Sequence, residues 1–574
     1  MPESSNLQES IQYHLQFLYP QENHLQLVDQ IAAIFADYEK PVSLKEIWSE
    51  QDALLITYGD TLLHEGERPL ETLQRFLNEK VGETISSVHI LPFSPFSSDD
   101  GFSVIDYLKI NPKLGDWEDV AEIGKEHRLM ADLVINHTSA ESEWFQNYLA
   151  GKSPGKDYFI EVEEGEDLTE VVRPRASPLL RHVETPDGPK SVWCTFSHDQ
   201  IDLNFRNPEV LYEFLRIIRR YLEEGVQIIR LDAIGYLWKE IGTTCIHLPE
   251  THEMVRLLRT LLDIYAPGTI LITETNVPNH ENLTYFGNTN EAHMIYNFSL
   301  APLLLHALLA GTSKHLKTWL MSMPPAPVGC TYLNFTASHD GIGMRPAEGL
   351  ISEPEQAEMI ESIRNAGGLC STRKLSDGSE KVYEINVTLF DALKATIQGP
   401  DDYHIPRFLC SQTIMMSLEG IPAFYIHSLL ATPNDAKGVE HTGRFRSINR
   451  KQLNYDEISA ELDNPSSSRA NVFHEILRRM KIRGQQPAFS PNATQFTLHL
   501  NSHFFAFWRQ SVNRQQSIFC VNNLTSKKHK LQLSQLNLIS TDNWVDLLSE
   551  KSLQNRTGIV TLEPYQTMWI TNRK

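Results

Sequence analysis

Short apolar runs recur along the chain, separated by longer amphipathic segments. Their apolar residues are nearly continuous, which is typical of strands buried on both faces of a parallel sheet. Eight runs are present: DALLITYGD (52–60), ISSVHILPF (85–93), RLMADLVINH (128–137), GVQIIRLDA (225–233), TILITETN (269–276), HMIYNFSL (293–300), CTYLNFTASHD (330–340) and GIPAFYIHS (420–428). Between them, amphipathic spacing predicts helices, as in residues 208–225, where Gly225 supplies the stop. This alternation predicts an α/β fold, a (β/α)8 TIM barrel of parallel strands.

Two connections are too long for a simple loop and helix, about residues 138–200 after the third strand and 341–403 after the seventh. Because such insertions normally build the substrate pocket, we expect two inserted subdomains next to the site. Strand-like segments predict a C-terminal antiparallel β domain, a β-sandwich, over residues 491–574. Helical apolar spacing predicts an N-terminal helical extension over residues 1–51. The barrel is then formed by residues 52–137, 201–340 and 404–490.

The amino-acid composition and the net charge argue against several classes of function. The 574 residues carry a net charge of −22, which argues against a general nucleic-acid binder. The N-terminus has no signal-peptide pattern, and no apolar run reaches the roughly 18 residues of a membrane span, so we expect a cytoplasmic protein without a membrane partner. Six cysteines without CxxC or zinc-type spacing are expected to be free thiols, and neither a metal nor a cofactor is predicted. The sequence does not determine the oligomeric state, and a homodimer stays open.

Charged side chains gather where the predicted strands end. Asp132 and His137 lie on the third strand, and Arg230 and Asp232 end the fourth. The fifth and seventh strands end in the same way, with Glu274 and with His339 and Asp340. Because the C-terminal ends of barrel strands converge on one face, we expect these residues to meet around one pocket.

Carboxylates with a nearby arginine and two histidines can split a glycosidic bond with retention of configuration. One carboxylate attacks the anomeric carbon, and a second, roughly 5 Å away, protonates the leaving oxygen and later activates the acceptor. Arg230 is expected to hold Asp232 ionised, and desolvation is expected to raise the pKa of Glu274 toward that of a useful acid. A buried ion pair of Arg230 and Asp232 without catalytic function is the alternative.

The set DLVINH, IIRLDA, TETN and ASHD, in this order and spacing, resembles the four signature regions of the α-amylase superfamily. The resemblance implies that Asp232 is the nucleophile, Glu274 the acid/base and Asp340 the transition-state stabiliser. It also places Arg230, His137 and His339 in the glucose-binding subsite.

Further motifs resemble the sucrose-phosphorylase subfamily from about residue 52 to about 450: SSDDGFSVIDY, RPRASP, TFSHDQIDLN, LDAIGY, SLAPLLLHAL, SHDGIG and YEINVT. By this resemblance, the glucose subsite is completed by Asp99, Phe102, Phe196 and Gln200. Arg175, Tyr236 and Tyr383 match positions that contact phosphate or the leaving group. Arg173 and Arg175, two cations in an otherwise acidic chain, are the predicted phosphate ligands.

This chain departs from the sucrose enzymes at two positions, and both departures bear on which acceptor it uses. Sucrose enzymes usually carry His and Gln where this chain has Asn276 and Glu384, and TETNVPNHENLTYFG resembles instead the glucosylglycerate and glucosylglycerol branches. The best match is a phosphorylase acting on 2-O-α-D-glucosylglycerate and inorganic phosphate, with Arg173, Arg345 and Lys381 available for the glycerate carboxylate. The alternatives are a glucosylglycerol, sucrose or sucrose-phosphate phosphorylase, an α-glucosidase or transglycosidase, and a non-catalytic sugar-binding barrel.

Overall fold

The computed structural model describes residues 2–39, 47–175, 177–374, 380–536, 538–539, 542–553 and 558–572. Its centre is a closed barrel in which each strand pairs in parallel with its sequence neighbours, and the first strand pairs with the last. The eight strands are β1 (Leu54–Thr57), β2 (Ser87–Ile90), β3 (Arg128–Leu133), β4 (Val226–Leu231), β5 (Ile270–Thr273), β6 (Met294–Tyr296), β7 (Thr331–Phe335) and β8 (Ile421–Tyr425). Each lies inside one of the eight predicted runs, so the predicted (β/α)8 barrel is confirmed.

Twelve helices of eight or more residues lie in the described part of the chain, and most of them surround the barrel. They are α1 (Pro2–Leu18), α2 (His24–Ile34), α3 (Pro69–Phe76), α4 (Trp117–Glu126), α5 (Pro208–Glu223), α6 (Pro249–Tyr265), α7 (Leu300–Ala310), α8 (Lys314–Ser322), α9 (Glu353–Asn365), α10 (His404–Ser417), α11 (Tyr455–Leu462) and α12 (Ser468–Arg483). Shorter helices span Glu143–Leu149, Asn279–Asn282, Leu389–Ala392, Ile426–Leu429 and Ala436–Thr442.

Helix α5 shows how local sequence sets these elements. The Asn207 side chain accepts a hydrogen bond from the Glu209 amide, and Pro208 occupies the first helical turn, where its missing N–H has no cost. The apolar face of the helix is buried against the barrel, and Gly225, with a φ of 86°, permits the reversal into β4. The predicted helix therefore forms and ends two residues earlier than the predicted stretch.

The two long connections carry their own small sheets. In the first, the hairpin Leu180–Thr185 and Gly188–Trp193 lies beside the short pair His137–Ser139 and Gln200–Asp202. In the second, three antiparallel strands are followed by a two-residue pair: Ile342–Gly343, Leu369–Lys374, Glu380–Asn386, then Ala395–Thr396 with Gly399–Pro400. Both insertions extend from the C-terminal ends of barrel strands, as expected; their boundaries stay predictions.

The C-terminal part is antiparallel β, as predicted. Its main sheet has six strands: Thr494–Thr497, Phe504–Gln510, Ser517–Asn523, Thr567–Thr571, Val545–Asp546 and Lys551–Ser552. A two-stranded sheet, His529–Gln532 with Ile559–Leu562, packs on it around a separate apolar cluster. The other face of the main sheet joins the core of the barrel through Phe505, Phe507 and Trp569.

The N-terminal helices α1 and α2 pack on the outside of the barrel. His14 Nδ1 lies 2.7 Å from Glu253 Oε1 of α6, and Arg219 of α5 donates a hydrogen bond to the carbonyl of Ile34. Leu15 and Ile31 are fully buried in the same core. Among the described residues no helix is long and apolar enough to cross a membrane. All six cysteines are free.

Candidate active site

One cavity of about 400 Å³ opens at the C-terminal end of the barrel, between the two insertions. Asp132 is buried beneath the cavity and does not line it, whereas fourteen other side chains that the sequence assigns to the site do: Asp99, Phe102, His137, Arg173, Arg175, Phe196, Gln200, Arg230, Asp232, Tyr236, Glu274, His339, Asp340 and Tyr383. The three carboxylates of the predicted catalytic trio therefore face a single space. Their roles stay predictions, because location alone does not assign chemistry.

Arg230 is the buried hub of this cavity, with 3 % of its surface exposed. Its Nη1 donates to Asp132 and to Oδ1 of Asp232, the second at 2.6 Å, and its Nη2 lies 3.8 Å from Oε2 of Glu274. Asp132 is held from the other side by Nε2 of His89 at 2.6 Å. The Arg230–Asp232 ion pair is thus part of a wider network at the cavity floor.

A sharp turn after β4 brings Asp232 and Glu274 together. Ala233 has a φ of 51°, in the left-handed region that non-glycine residues rarely occupy, and such strained positions cluster at functional sites. The Ala233 amide donates to Oε2 of Glu274 at 3.1 Å. The turn therefore fixes the fifth-strand carboxylate against the fourth-strand one.

The two carboxyls have different environments. Burial raises the pKa of Asp232, and this outweighs the lowering by Arg230, whose charge is shared with Asp132. Arg230 favours the ionised form of Asp232, as expected, but the net shift of the Asp232 pKa is upward. Burial raises the pKa of Glu274 to about 7, with Asp232 adding to the rise and Arg230 opposing it. Because the guanidinium contacts Asp232 more closely than Glu274, the proton of the pair resides on Glu274 near neutral pH.

Asp340 is kept ionised by two arginines from the segment after β8 and by the adjacent His339. Burial opposes its ionisation, but Arg446, His339 and Arg450 together hold its pKa well below the ordinary value. Arg446 Nη1 lies 2.5 Å from Asp340 Oδ1, and the same guanidinium binds both carboxylate oxygens of Glu384, at 2.6 and 3.1 Å. Arg446 therefore bridges the carboxylates of Asp340 and Glu384 and orients Asp340.

Another part of the cavity lining is a hydrogen-bonded group formed by Gln200, Asp99, His137 and Phe102. Nε2 of Gln200 donates to Oδ2 of Asp99 at 3.3 Å and to the Phe102 carbonyl at 3.1 Å. His137 Nε2 donates to the same carbonyl at 2.9 Å. The Phe102 ring stacks on His339, with centroids 5.0 Å apart and planes 6° from parallel. These contacts hold hydrogen-bonding groups beside aromatic faces, as a monosaccharide subsite requires.

The first insertion supplies two cations. The Nε and Nη2 atoms of Arg173 are buried and have no hydrogen-bond partner in the described chain, and burial lowers the pKa of this arginine. Arg175 lies 3.7 Å from Oδ2 of Asp99, and its guanidinium is 5.9 Å from the centroid of the Phe196 ring. Arg173 thus presents unpaired donors to the cavity, whereas Arg175 is partly engaged by Asp99.

Several cavity residues escaped the sequence analysis. Arg446, His247, Glu348 and Arg373 all line the cavity. Glu348 and Arg373 belong to the second insertion, and His247 and Arg446 lie in connections after β4 and β8, where no periodicity or strand end marks them. The one available signal was the cluster of three arginines in TGRFRSINR, residues 442–450, in an acidic chain.

The three cations that the sequence offers for the glycerate carboxylate are not equally close to the cavity. Arg345 lines the cavity, with Nη2 3.4 Å from Oε2 of Glu281, and Arg173 lines it as well. Lys381 instead pairs with Glu348 at 2.9 Å and lies behind the cavity wall. Lys381 is therefore not available for direct contact with a ligand in this cavity.

The closed barrel and its carboxylate trio define a protein of the α-amylase type. Residues 82–325 match the family model described as the α-amylase catalytic domain. Relatives named as phosphorylases are 41 to 46 % identical over most of its length, so the chain belongs to the α-amylase family and, within it, to the glycoside phosphorylases.

Relatives named as phosphorylases show which group of the family the chain resembles. A glucosylglycerate phosphorylase of Spirochaeta thermophila is 46 % identical over 83 % of this chain and 80 % of its own length. Another, of Allomeiothermus silvanus, is 42 % identical over 98 % of both chains. Among solved structures, the sucrose 6F-phosphate phosphorylase of Thermoanaerobacter thermosaccharolyticum aligns with a TM-score of 0.72 and 26 % identity, covering 89 % of this chain and 98 % of that one.

Proposed function

We propose that this chain is a retaining glucosylglycerate phosphorylase. It converts 2-O-α-D-glucosylglycerate and inorganic phosphate into α-D-glucose 1-phosphate and glycerate, reversibly and in two displacements. The observation that carries this proposal is a single cavity where Asp232, Glu274 and Asp340 face an arginine with unpaired buried donors, Arg173. Relatives named glucosylglycerate phosphorylase, 41 to 46 % identical over most of the chain, support the choice of substrate.

In the first displacement, Asp232 attacks the anomeric carbon while protonated Glu274 gives its proton to the glycosidic oxygen. The bond from that oxygen to the anomeric carbon breaks, glycerate leaves, and a glucosyl ester forms on Asp232. A pKa of about 7 leaves Glu274 largely protonated up to neutral pH, as this step requires. Asp340, held ionised by Arg446, is placed to bind sugar hydroxyls as charge develops on the ring.

In the second displacement, phosphate attacks the anomeric carbon and the ester bond to Asp232 breaks. Glu274, now ionised, accepts the proton of the attacking phosphate, which restores both carboxyls. Arginines bind oxyanions through fixed pairs of N–H donors, and Arg173 has donors free for such a contact. A cavity that attracts phosphate favours phosphorolysis of the glucosyl-enzyme over hydrolysis.

The glycerate carboxylate needs a cation of its own, and Arg345 fits this role. Its guanidinium lines the cavity near Tyr236, and Glu281 holds it at 3.4 Å without occupying the whole fork. Asn276, where sucrose enzymes usually carry His, lies in the same wall and leaves a neutral amide beside the acceptor. The acceptor side thus suits a small anion.

The proposal is tested by incubating the purified protein with glucosylglycerate, with and without phosphate, and measuring glucose 1-phosphate and free glucose. We expect glucose 1-phosphate only with phosphate, and little free glucose. Glucose release independent of phosphate would identify an α-glucosidase or transglycosidase instead. Replacing the substrate by glucosylglycerol, sucrose or sucrose phosphate tests the other phosphorylase alternatives in the same assay.

The phosphate contact is tested separately. Arg173→Ala should raise the KM for phosphate by about tenfold or more, since a charge-assisted contact contributes roughly 1.5–3 kcal/mol. The KM for glucosylglycerate should change much less. Arg181→Ala, in the same insertion but outside the cavity lining, is the control. An equal rise in both KM values for Arg173→Ala would show that this arginine does not select phosphate.

Two wider properties belong to the same proposal. The six free cysteines, five of them buried, support a location in the cytoplasm, where thiols stay reduced. Cell fractionation tests this location. The oligomeric state stays open, and light scattering on the purified protein distinguishes a monomer from a homodimer.

A further inference from the structure

A cluster of metal-ligating side chains lies away from the catalytic cavity, where three outer helices meet. His306 lies on α7, His315 on α8 and Glu355 in the first turn of α9. One ligand atom from each lies within 4.8 Å of the other two. In the part of the chain that the structure describes, this is the one such group of three or more His, Cys, Asp or Glu.

His306 is the unusual member. Only 1 % of its surface is exposed, and its Nδ1 has no hydrogen-bond partner among the described residues. Leaving a buried polar atom unpaired costs free energy, so such an atom calls for an explanation. An imidazole nitrogen is a common ligand of transition metals, so a buried and unpaired one beside a second histidine points to a bound ion.

The other two ligands are already oriented toward each other. His315 Nε2 lies 2.8 Å from Glu355 Oε1, and the His306 and His315 ring centroids are 5.2 Å apart. The second oxygen of Glu355 is held by the Ser352 amide at 3.1 Å, in the capping box that begins α9. An outer contact of this kind fixes a metal-binding carboxylate.

We infer that His306, His315 and Glu355 form a binding site for a divalent transition metal of the zinc type. Two imidazoles and one carboxylate are a zinc donor set, and ligand bonds of about 2.0–2.2 Å place tetrahedral ligands roughly 3.4 Å apart. The widest spacing of at most 4.8 Å therefore has to close by about 1.4 Å, and the His315 Nε2–Glu355 Oε1 pair, at 2.8 Å, has to open by about 0.6 Å. His315 and Glu355 also line a groove with Gln356, through which water can reach the site to complete the coordination.

The charge of the groove is mixed. Lys314 and Lys381 line it together with Glu348, Glu353 and Glu355. Glu348 also lines the catalytic cavity. Its carboxylate accepts hydrogen bonds from Arg373 and from Lys381. A metal here would join α7 and α8 to α9, which belongs to the second insertion. Its direct effect is on the stability of this region and not on the chemistry of the cavity.

Zinc binding to the full-length, chelator-treated protein tests the inference, with a chromophoric zinc indicator as competitor in a phosphate-free buffer. We expect one tight site per chain, and Glu355→Gln should weaken it at least a hundredfold. Glutamine keeps the capping box, so α9 remains formed in this variant. His441→Ala removes an exposed histidine, and Cys370→Ser removes the one cysteine that is not buried; both should bind zinc as the unaltered protein does.

Cobalt(II) gives a second readout that needs no variant. Bound at this site, it should show the intense visible absorption of four-coordinate geometry, and zinc should displace it. The inference is overturned if the unaltered protein binds zinc no more tightly than Glu355→Gln, or if His441→Ala or Cys370→Ser loses as much affinity. Cobalt absorption of six-coordinate intensity only would likewise overturn it.

Discussion

At the scale of single residues, the account depends on two carboxyls of similar chemistry in different surroundings. Asp232 is in direct contact with Arg230 at 2.6 Å, whereas Glu274 lies 3.8 Å from it and accepts a hydrogen bond from the Ala233 amide. The same burial therefore affects them unequally, and Glu274 becomes the proton donor. Such separation of two pKa values is how one site supplies a nucleophile and an acid together.

This separation predicts a pH dependence. Because Glu274 must carry its proton in the first displacement, kcat/KM for the glucoside should fall as pH rises through about 7. On the acid side it should fall as Asp232 becomes protonated, at a pH set by a pKa above the ordinary aspartate value. The measurement is kcat/KM across pH 4–9 for the unaltered protein and for Glu274→Gln. An alkaline limb that persists unchanged in Glu274→Gln would assign that limb to another group.

At the scale of elements, the barrel strands and the residues at their ends were the part of the structure that the sequence predicted best. All eight strands form inside the apolar runs, because strands buried on both faces need continuous apolar sequence. The residues at their ends, from Asp232 to Asp340, could be predicted for the same reason. Arg446 could not, since it lies in a loop whose position depends on long-range contacts with Asp340 and Glu384.

The loop after β8 gives a test at this scale. Arg446→Lys keeps the charge but replaces a planar fork by a point charge, which cannot bind Asp340 and Glu384 at once. We expect kcat to fall about ten- to a hundredfold while thermal stability changes little. Arg444→Lys, an exposed arginine of the same loop that binds Asp100, is the control and should stay within about twofold. Equal activity of the two variants would remove Arg446 from the positioning of Asp340.

At the scale of the whole molecule, one apolar core connects the N-terminal helices, the barrel and the inner face of the C-terminal sheet. Trp569 is fully buried in it, and its Nε1 donates to Oγ of Ser417 in α10 at 2.9 Å. The sequence indicated a separate β domain, and its strands were predictable from alternation. Their packing on α10 was not, because it rests on contacts between residues more than a hundred positions apart.

This shared core predicts the cost of disrupting it. Trp569→Ala should lower the free energy of unfolding by about 3–5 kcal/mol, because it leaves a large cavity between the sheet and α10. Trp508→Ala, on the other face of the same sheet and partly exposed, should cost less. Urea unfolding followed by fluorescence and by activity measures both. Loss of the sheet signal in Trp569→Ala without any change in barrel unfolding would contradict a shared core.

The central claim is that Asp232 becomes glucosylated with Glu274 as its acid/base partner. The most direct test incubates Glu274→Ala with α-glucosyl fluoride, whose leaving group needs no protonation, and identifies the modified peptide by mass spectrometry. A variant lacking the base should accumulate the glucosyl-enzyme, and the label should lie on Asp232 and be absent from Asp232→Asn/Glu274→Ala. A glucosyl label on any other residue, or an equal label in the double variant, would contradict the account.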